Sequence, residues 1–466
     1  MSTDNQPASA NEAPVEQELY KKRQKIYPRE VHGIFALLRN LAMLALLGLF
    51  YGLCWIQWDG HQAVLFDLPA RKFYIFGLTF WPQDFFFLTL LLIISALALF
   101  FFTALAGRLW CGYACPQTVW TEIFLWFERK IEGSRQQQIK LDKSPMSARK
   151  FGIKASKHTV WLLFSLWTGF TFVGYFTPVK ELWDSMLAFT LGPWETFWIL
   201  FYGFATYGNA GWMREQVCIY MCPYARFQSA MFDKNTLIIS YDEQRGEPRG
   251  SRRRGTRPAE KGDCIDCGLC VQVCPTGIDI RNGLQYQCIG CAACIDVCDD
   301  VMDKMGYPKG LIKYTTENAL EGKPTRIMRP RLFVYIGIIG LISTILVYAL
   351  LNRVPLEVDI IRDRSALFTE NRQGLIENVY NLKVINMDKD AHEYSISVDG
   401  LDGVRIKGDT GVTVDSGEVV DLPLRIEVPP GSIRERSSEV FFTLKATDGS
   451  GIELREPARF LGPVKR

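Results

Sequence analysis

Eight of the 13 cysteines fall in one short segment, and their spacing limits what they can do. "CIDCGLCVQVCP" places Cys264, Cys267, Cys270 and Cys274 at C-x2-C-x2-C-x3-C and closes on Pro275. "CIGCAACIDVC" repeats that spacing with Cys288, Cys291, Cys294 and Cys298. Three thiolates three residues apart wrap one face of an iron–sulfur cube, and the fourth cysteine of each run reaches the other cube. The expectation is two 4Fe–4S clusters. Cys264, Cys267, Cys270 and Cys298 hold one; Cys288, Cys291, Cys294 and Cys274 hold the second. Structural zinc uses two separated C-x2-C pairs rather than triplets, so zinc knots are the weaker reading. Gly268, Gly290, Ala292 and Ala293 are small enough for the backbone to approach the sulfides and donate to them, which tunes potential. Asp299 stands where a second closing proline is expected.

A second pattern occurs twice. "CGYACP" runs from Cys111 to Pro116 and "CIYMCP" from Cys218 to Pro223, with Arg108 and Arg214 ahead of them and Tyr113 and Tyr220 at equal offsets. Proline has no N–H and suits the first position of a helix. "PQTVWTEIFLWFERK" and "PYARFQSAMFDK" therefore read as helices, with Cys115 and Cys222 at their N-termini, where the helix dipole favours thiolate. If Cys111 and Cys115 instead share one continuous turn, they lie on one face. The four thiols suit Cu(I), zinc or iron–sulfur chemistry, or a redox dithiol. The bland alternative is small residues packing at a helix bend.

These cysteines need elements to position them, and the flanking sequence is apolar. A bilayer span takes roughly 20 apolar residues. Five segments qualify: about 34–58, 85–105, 159–176, 194–212 and 332–351. Trp and Tyr cluster at their ends. Basic residues set the orientation. Lys21, Lys22, Arg23, Lys25 and Arg29 precede the first span, ten basic residues lie from Arg108 to Lys157, and Arg326, Arg329 and Arg331 precede the last. This puts the N-terminus and both CxxxCP motifs on the cytoplasmic side and the C-terminus outside. The first 20 residues are polar and read as a disordered tail rather than a signal peptide.

After Arg353 the sequence changes to short, alternating, β-branched runs such as "EYSISVDG" and "EVFFTLKATDG", broken by Gly, Asp and Pro. That is the pattern of an antiparallel sandwich. No cysteine follows Cys298, which excludes a disulfide-stapled tail. His392 there reads as a lone surface histidine, Cys54 as packing, and His61 as an interfacial side chain more than a metal ligand. "RGSRRRGTR", Arg249 to Arg257, reads as a solvated linker or an anionic-lipid contact; no nucleic-acid motif accompanies it.

The predicted architecture is a multi-domain membrane protein. A cytoplasmic tail (1–33) precedes a four-span α-helical bundle bearing both CxxxCP motifs (34–235). A linker and two-cluster α+β ferredoxin domain (236–325) follow, then a fifth span (326–352) and an all-β immunoglobulin-like sandwich outside the membrane (353–466). The combination of CxxxCP pair, "YDEQRGEPRG" linker, two-cluster ferredoxin and sandwich tail resembles the FixG/RdxA/CcoG family of cytochrome oxidase accessory proteins. The resemblance implies a bacterial inner-membrane protein that reduces Cu(II) to Cu(I) for assembly of a cbb-type cytochrome c oxidase, with that oxidase and its copper-delivery proteins as partners. It implies electron relay through the eight ferredoxin cysteines. It also implies a redox or copper-facing site at Cys111, Cys115, Cys218 and Cys222, with copper as substrate. The competing readings are a quinol-oxidising membrane ferredoxin subunit and a non-catalytic assembly scaffold. No flavin or Rossmann fingerprint names the electron donor, and the oligomeric state is not legible.

Overall fold

The computed structural model describes residues 25–58, 60–254 and 261–463. The basic residues Lys21 to Arg23 and the end of the arginine run at Arg257 lie outside the described residues. The chain forms two compact units interleaved along the sequence. One comprises Met1–Ala45, Thr103–Phe164 and Ala205–Thr325 in their described parts; the other comprises Leu46–Phe102, Ser165–Phe204 and Arg326–Arg466.

Among the described residues three helices are long and apolar enough to cross a bilayer: Ile34–Trp55, Pro82–Ala106 and Pro330–Leu351. The third and fourth expected spans take a different form. Helix Ala148–Val173 is 26 residues long, but its first three turns carry Arg149, Lys150, Lys154, Lys157 and His158, so only its second half is apolar. Helix Pro193–Thr206 has 14 residues. At about 1.5 Å per residue it falls short of a hydrocarbon core of about 30 Å. Beyond it the chain winds as π-helix, Tyr207–Met213 and then Val217–Met221. Arg214 interrupts the two at φ +46°, a left-handed conformation that a non-glycine residue holds only when its surroundings enforce it. Such local winding recurs at functional sites, and the second CxxxCP motif begins here.

In the first unit both predicted interfacial helices form, Pro116–Glu132 and Pro223–Met231, each with its proline in the opening turn. Cys115 and Cys222 precede them in extended backbone, while Cys111 sits in a separate short helix, Leu109–Tyr113. The cysteine-rich segment folds around two short antiparallel strands, Ile238–Tyr241 and Ile312–Thr315. Its core joins Ile239, Ile280, Ile295, Met302 and Leu311. Cys274 is followed by Pro275, and the helix before it, Leu269–Gln272, is a single turn. Cys298 is followed by Asp299, and helix Ala293–Met305 runs on past it. The departure from proline thus lets this helix continue, and the Asp299 carboxylate accepts from Gly310 N at 2.9 Å.

In the second unit, residues after 355 form a two-sheet sandwich. Arg405–Lys407, Val419–Val428, Ile376–Asn386 and Leu356–Arg362 make one sheet in that order, with Thr369–Glu370 also paired to Ile376–Asn386; Gly411–Val414, His392–Asp399, Ser437–Ala446 and Glu453–Leu461 make the other. Alternate residues (Leu382, Val384, Tyr394, Ile426, Phe442, Leu444) are fully or almost fully buried between them. Cys54 packs among Phe170, Val173 and Leu182, as a small apolar residue would. A three-stranded sheet, Val64–Asp67, Lys72–Ile75 and Leu78–Phe80, follows the first span and was not anticipated.

His392 is not a surface residue: it is 5% exposed. Its ring lies between two carboxylates, Nδ1 on Asp448 and Nε2 on Asp388 at 3.0 Å. Burial alone lowers its pKa, but the hydrogen bonds to Asp448 and Asp388 outweigh it and hold the imidazolium above the ordinary range. The stabilisation is therefore complete below the unfolded histidine pKa, about 6.5, and is lost as pH rises through the folded value. Hydrogen exchange of strand His392–Asp399 in the full chain should quicken from pH 6 to pH 8 beyond the intrinsic amide rate. His392→Gln should remove that excess; an unchanged pH profile in the variant contradicts the bridge.

Candidate redox centre

The site is built within the first unit. Each predicted ferredoxin set lines one pocket. Cys264, Cys267, Cys270 and Cys298 line the first. Cys274, Cys288, Cys291 and Cys294 line the second, which Cys270 also borders. The fourth cysteine of each run faces the other run's triplet: Cys298 lies within electrostatic reach of Cys264, Cys267 and Cys270, and Cys274 within reach of Cys288, Cys291 and Cys294. Equivalent loop positions, Asp266 with Gly290 and Gly268 with Ala292, all have positive φ. Left-handed residues alternating with right-handed ones turn successive N–H groups to one concavity, which suits an anionic cluster. Among the described residues no three His, Cys, Asp or Glu side chains converge tightly enough for a bare metal ion. The thiols surround a volume rather than a point, which fits a multi-atom cluster. When bound, a 4Fe–4S centre supplies one-electron storage at a potential set by such surroundings.

The CxxxCP thiols also come together. Cys111, Cys115, Cys218 and Cys222 lie within electrostatic reach of one another. Cys111 Sγ donates to Oε1 of the fully buried Gln228 at 3.4 Å. Sequence favoured thiolate at the helix N-termini, but burial dominates. Desolvation pushes Cys111 and Cys218 up to about 12 and raises Cys115, against the N–H groups at Gln117 and Thr118. Cys111, Cys115 and Cys218 are therefore neutral until a soft cation or an oxidant takes their protons.

The two repeats are not equivalent in space. Arg108 spans three elements: its guanidinium donates to Tyr286 O, to Cys288 O at 3.3 Å and to Ala225 O at 2.6 Å. It therefore joins the first motif, the helix after the second motif and the loop of the second cysteine triplet. Gly112 is buried against that same loop, where an added Cβ would stand 2.8 Å from Gly290 O and 3.0 Å from Cys291 Cα. Tyr113 hydrogen-bonds Tyr314, whose hydroxyl donates to Gly290 O at 2.8 Å. Tyr220, its counterpart, is exposed. Arg214 turns away from the thiols: Nη2 donates to Glu128 at 2.9 Å and Nε to Gly211 O at 2.9 Å.

Two further attachments fix the ferredoxin segment to the start of the first span. The Asp296 carboxylate accepts from Phe35 N at 3.2 Å and Ala36 N at 2.7 Å, satisfying free N–H groups of the first helical turn. Arg39, the one charge in that span, donates to Cys291 O. Sequence patterns singled out neither Asp296, Gln228 nor Glu128. Their partners are up to 261 residues away, and only Arg39 was visible as an anomaly. Among the described residues His61 joins no group of metal-ligating side chains; its ring rests on Tyr74 with centroids 4.5 Å apart.

Comparisons with known proteins agree with this layout. The model of a 4Fe-4S dicluster domain matches residues 213–317, and that of a 4Fe-4S binding domain matches 88–133, so each CxxxCP motif lies within one of them. The model described as an IG-like fold at the C-terminal of FixG matches 346–463. The nitrogen fixation protein FixG of Rhizobium meliloti is 38% identical, over 96% of this chain and 94% of its own. The protein RdxA of Cereibacter sphaeroides is 39% identical, over 93% and 96%. Among solved structures, a FixG-related protein from Vibrio parahaemolyticus is 28% identical, over 24% of this chain and 98% of its own, with a TM-score of 0.21. With two-cluster ferredoxin sequence, membrane-length helices and this tail in one chain, the protein belongs to the FixG/RdxA family.

Proposed function

We propose that the chain is a membrane-bound iron–sulfur electron-transfer protein that reduces Cu(II) to Cu(I) at Cys111, Cys115, Cys218 and Cys222, for assembly of a cbb-type cytochrome c oxidase. The observation that carries this reading is the contact of Gly112 with the Gly290–Cys291 backbone. It sets the four-thiol site directly against the loop of the second cysteine set. Cys274, Cys288, Cys291 and Cys294 would hold one cluster, and Cys264, Cys267, Cys270 and Cys298 the other. Cu(II) accepts one electron, and the soft thiols favour the Cu(I) that results. Two sulfurs suffice for Cu(I), so the site need not close on a single point. Arg108 orients the first motif against the ferredoxin loop, and Gln228 fixes the Cys111 thiol.

The oxidase and its copper-delivery proteins would be the partners. The topology we favour has five crossings, with the ferredoxin segment cytoplasmic and the sandwich periplasmic. The third and fourth segments come as a pair, so three crossings leave the tail on the same side.

Full-length protein purified without oxygen and reduced with dithionite should convert Cu(II) to chelator-trapped Cu(I). Serine at all four CxxxCP cysteines should lower this to the protein-free rate while the iron–sulfur EPR spectrum persists. Wild-type copper reduction in the four-serine variant rejects the site.

A further inference from the structure

One cavity of the first unit lies between the two redox sites. Its volume is about 140 Å³, and it opens to solvent. Its walls come from the Ile26–His32 segment, the opening turns of the first span, the Pro116–Glu132 helix, the turn at Arg214 to Cys218 and the ferredoxin loops. Cys291 stands on one wall and Cys218 on another, so its contents touch both redox sites.

The lining selects a ligand class. Leu125, Val31, Val273 and Ile289 give it apolar surface. Its charges nearly balance, and two of its arginines are already engaged, Arg129 with Glu122 at 3.0 Å and Arg214 with Glu128. A free metal cation meets the guanidinium groups, and a polyphosphate meets Glu30, Glu122 and Glu215 with no glycine-rich phosphate loop beside it. A neutral, flat, oxygen-bearing molecule meets neither obstacle. Arg129 Nε is buried with no hydrogen-bond partner among the described residues, so the guanidinium meets the cavity through its other nitrogens. Ala36, Arg39 and Asn40 belong to the span itself, so the cavity borders the segment that enters the bilayer.

We propose that this cavity binds a hydroquinone, whose electrons enter the chain beside Cys291. The proposal rests on the electron-transfer reading but not on copper. Oxidation breaks two O–H bonds and yields the quinone, two electrons and two protons. The centre that Cys274, Cys288, Cys291 and Cys294 would hold would supply a one-electron acceptor beside the cavity, and the second centre would supply the place for the other electron. Iron–sulfur centres take no protons, so a proton acceptor must line the site. The exposed His32 imidazole and Glu30 carboxylate face the cavity and return protons to water at its mouth.

The test uses the full chain in lipid nanodiscs with a photoreactive azidoquinone and, separately, duroquinol. Label should appear in peptides covering 26–40 or 116–129 and be competed away by unlabelled quinone. Thr121→Trp and Val31→Trp fill the cavity from different walls. Each should lower labelling, and the rate of cluster reduction by duroquinol, by about tenfold. Dithionite reduction and the EPR spectrum should not change. Labelling confined to other segments, or full labelling and full duroquinol rates in both variants, overturns the proposal. Labelling in the cavity with no copper reduction leaves it standing and removes the copper reading instead.

Discussion

Glu128→Ala is expected to destabilise the first unit by about 3–5 kcal/mol, because it strands buried charges. Glu128 is 1% exposed. It binds Arg214 at 2.9 Å, Lys157 at 3.3 Å and Lys25 at 3.6 Å. Burial alone raises its pKa, but Arg214, Lys157 and Lys25 outweigh that and hold the carboxylate below its usual range. The network extends through Glu132, which pairs with Lys154 and Lys157 at 2.8 Å each, to Asp142, which accepts from Tyr27 at 2.7 Å. Removing Glu128 leaves the buried Arg214 charge without its carboxylate while Lys157 keeps only Glu132, which costs far more than a surface ion pair is worth.

The functional effect follows from what Arg214 does. Its backbone at φ +46° is kept by Gln117, whose amide donates to Arg214 O at 3.1 Å and to Asn209 O at 2.9 Å, and by its own N–H to Asn209 O at 2.7 Å. The guanidinium tether to Glu128 is the long arm of that restraint. Without it the turn relaxes, and Cys218 and Cys222 lose their register with Cys111 and Cys115. Differential scanning fluorimetry of the detergent-solubilised protein should show the melting point falling by roughly 10 °C. Copper reduction should fall with it, even well below the melting point. Glu128→Gln keeps the shape and one hydrogen bond and should lie between. Wild-type melting in Glu128→Ala would show that the network contributes nothing. As pH falls through the folded Glu128 pKa the same stabilisation is lost, since it is present only above the unfolded value, about 4.3.

Gly112→Val is the second large effect, and it separates electron delivery from folding. The new Cβ would meet Gly290 O at 2.8 Å, Gly290 C at 2.9 Å and Cys291 Cα at 3.0 Å. All three atoms are backbone, so no side chain can swing aside, and the loop or the short helix must shift by several tenths of an ångström. That shift moves the first motif relative to the ferredoxin loop, so electron delivery to the thiols should slow measurably. The eight ferredoxin cysteines are untouched, so iron content and EPR should match wild type. Stopped-flow mixing of dithionite-reduced protein with Cu(II) should show slow cluster reoxidation. Serine at Tyr113, which removes the hydrogen bond to Tyr314 but adds no bulk, should cause a smaller loss. Reoxidation at the wild-type rate in Gly112→Val would mean electrons leave by another route.

The local patterns of this chain were readable because they are set by neighbours in sequence. Cysteine spacing named the two clusters. Proline after each CxxxC placed a helix start, and alternation after Arg353 gave the sandwich. Each depends on geometry within a few residues. The thiolate expectation failed at Cys115 because a helix N-terminus is a local feature, whereas burial is decided by whatever packs on top. His392 failed the same way: Asp388 is nearby in sequence, but Asp448 is brought in from another strand's end.

The sequence alone determined the 4Fe–4S ferredoxin segment and the all-β tail, and three of the five spans it led us to expect are membrane-length helices. Only the tertiary structure decided that the twin CxxxCP motifs are unequal. The first is pressed on the ferredoxin loop through Gly112, Tyr113 and Arg108, and the second is hung from a buried ion network through Arg214. Two near-identical hexapeptides cannot encode that difference, because it arises from Glu128, Gly290 and Tyr314, which the fold delivers from distant segments. Spacing along the chain records which atoms can share a cluster; which surfaces are dry, and which charges must find partners there, depends on what long-range packing excludes from water.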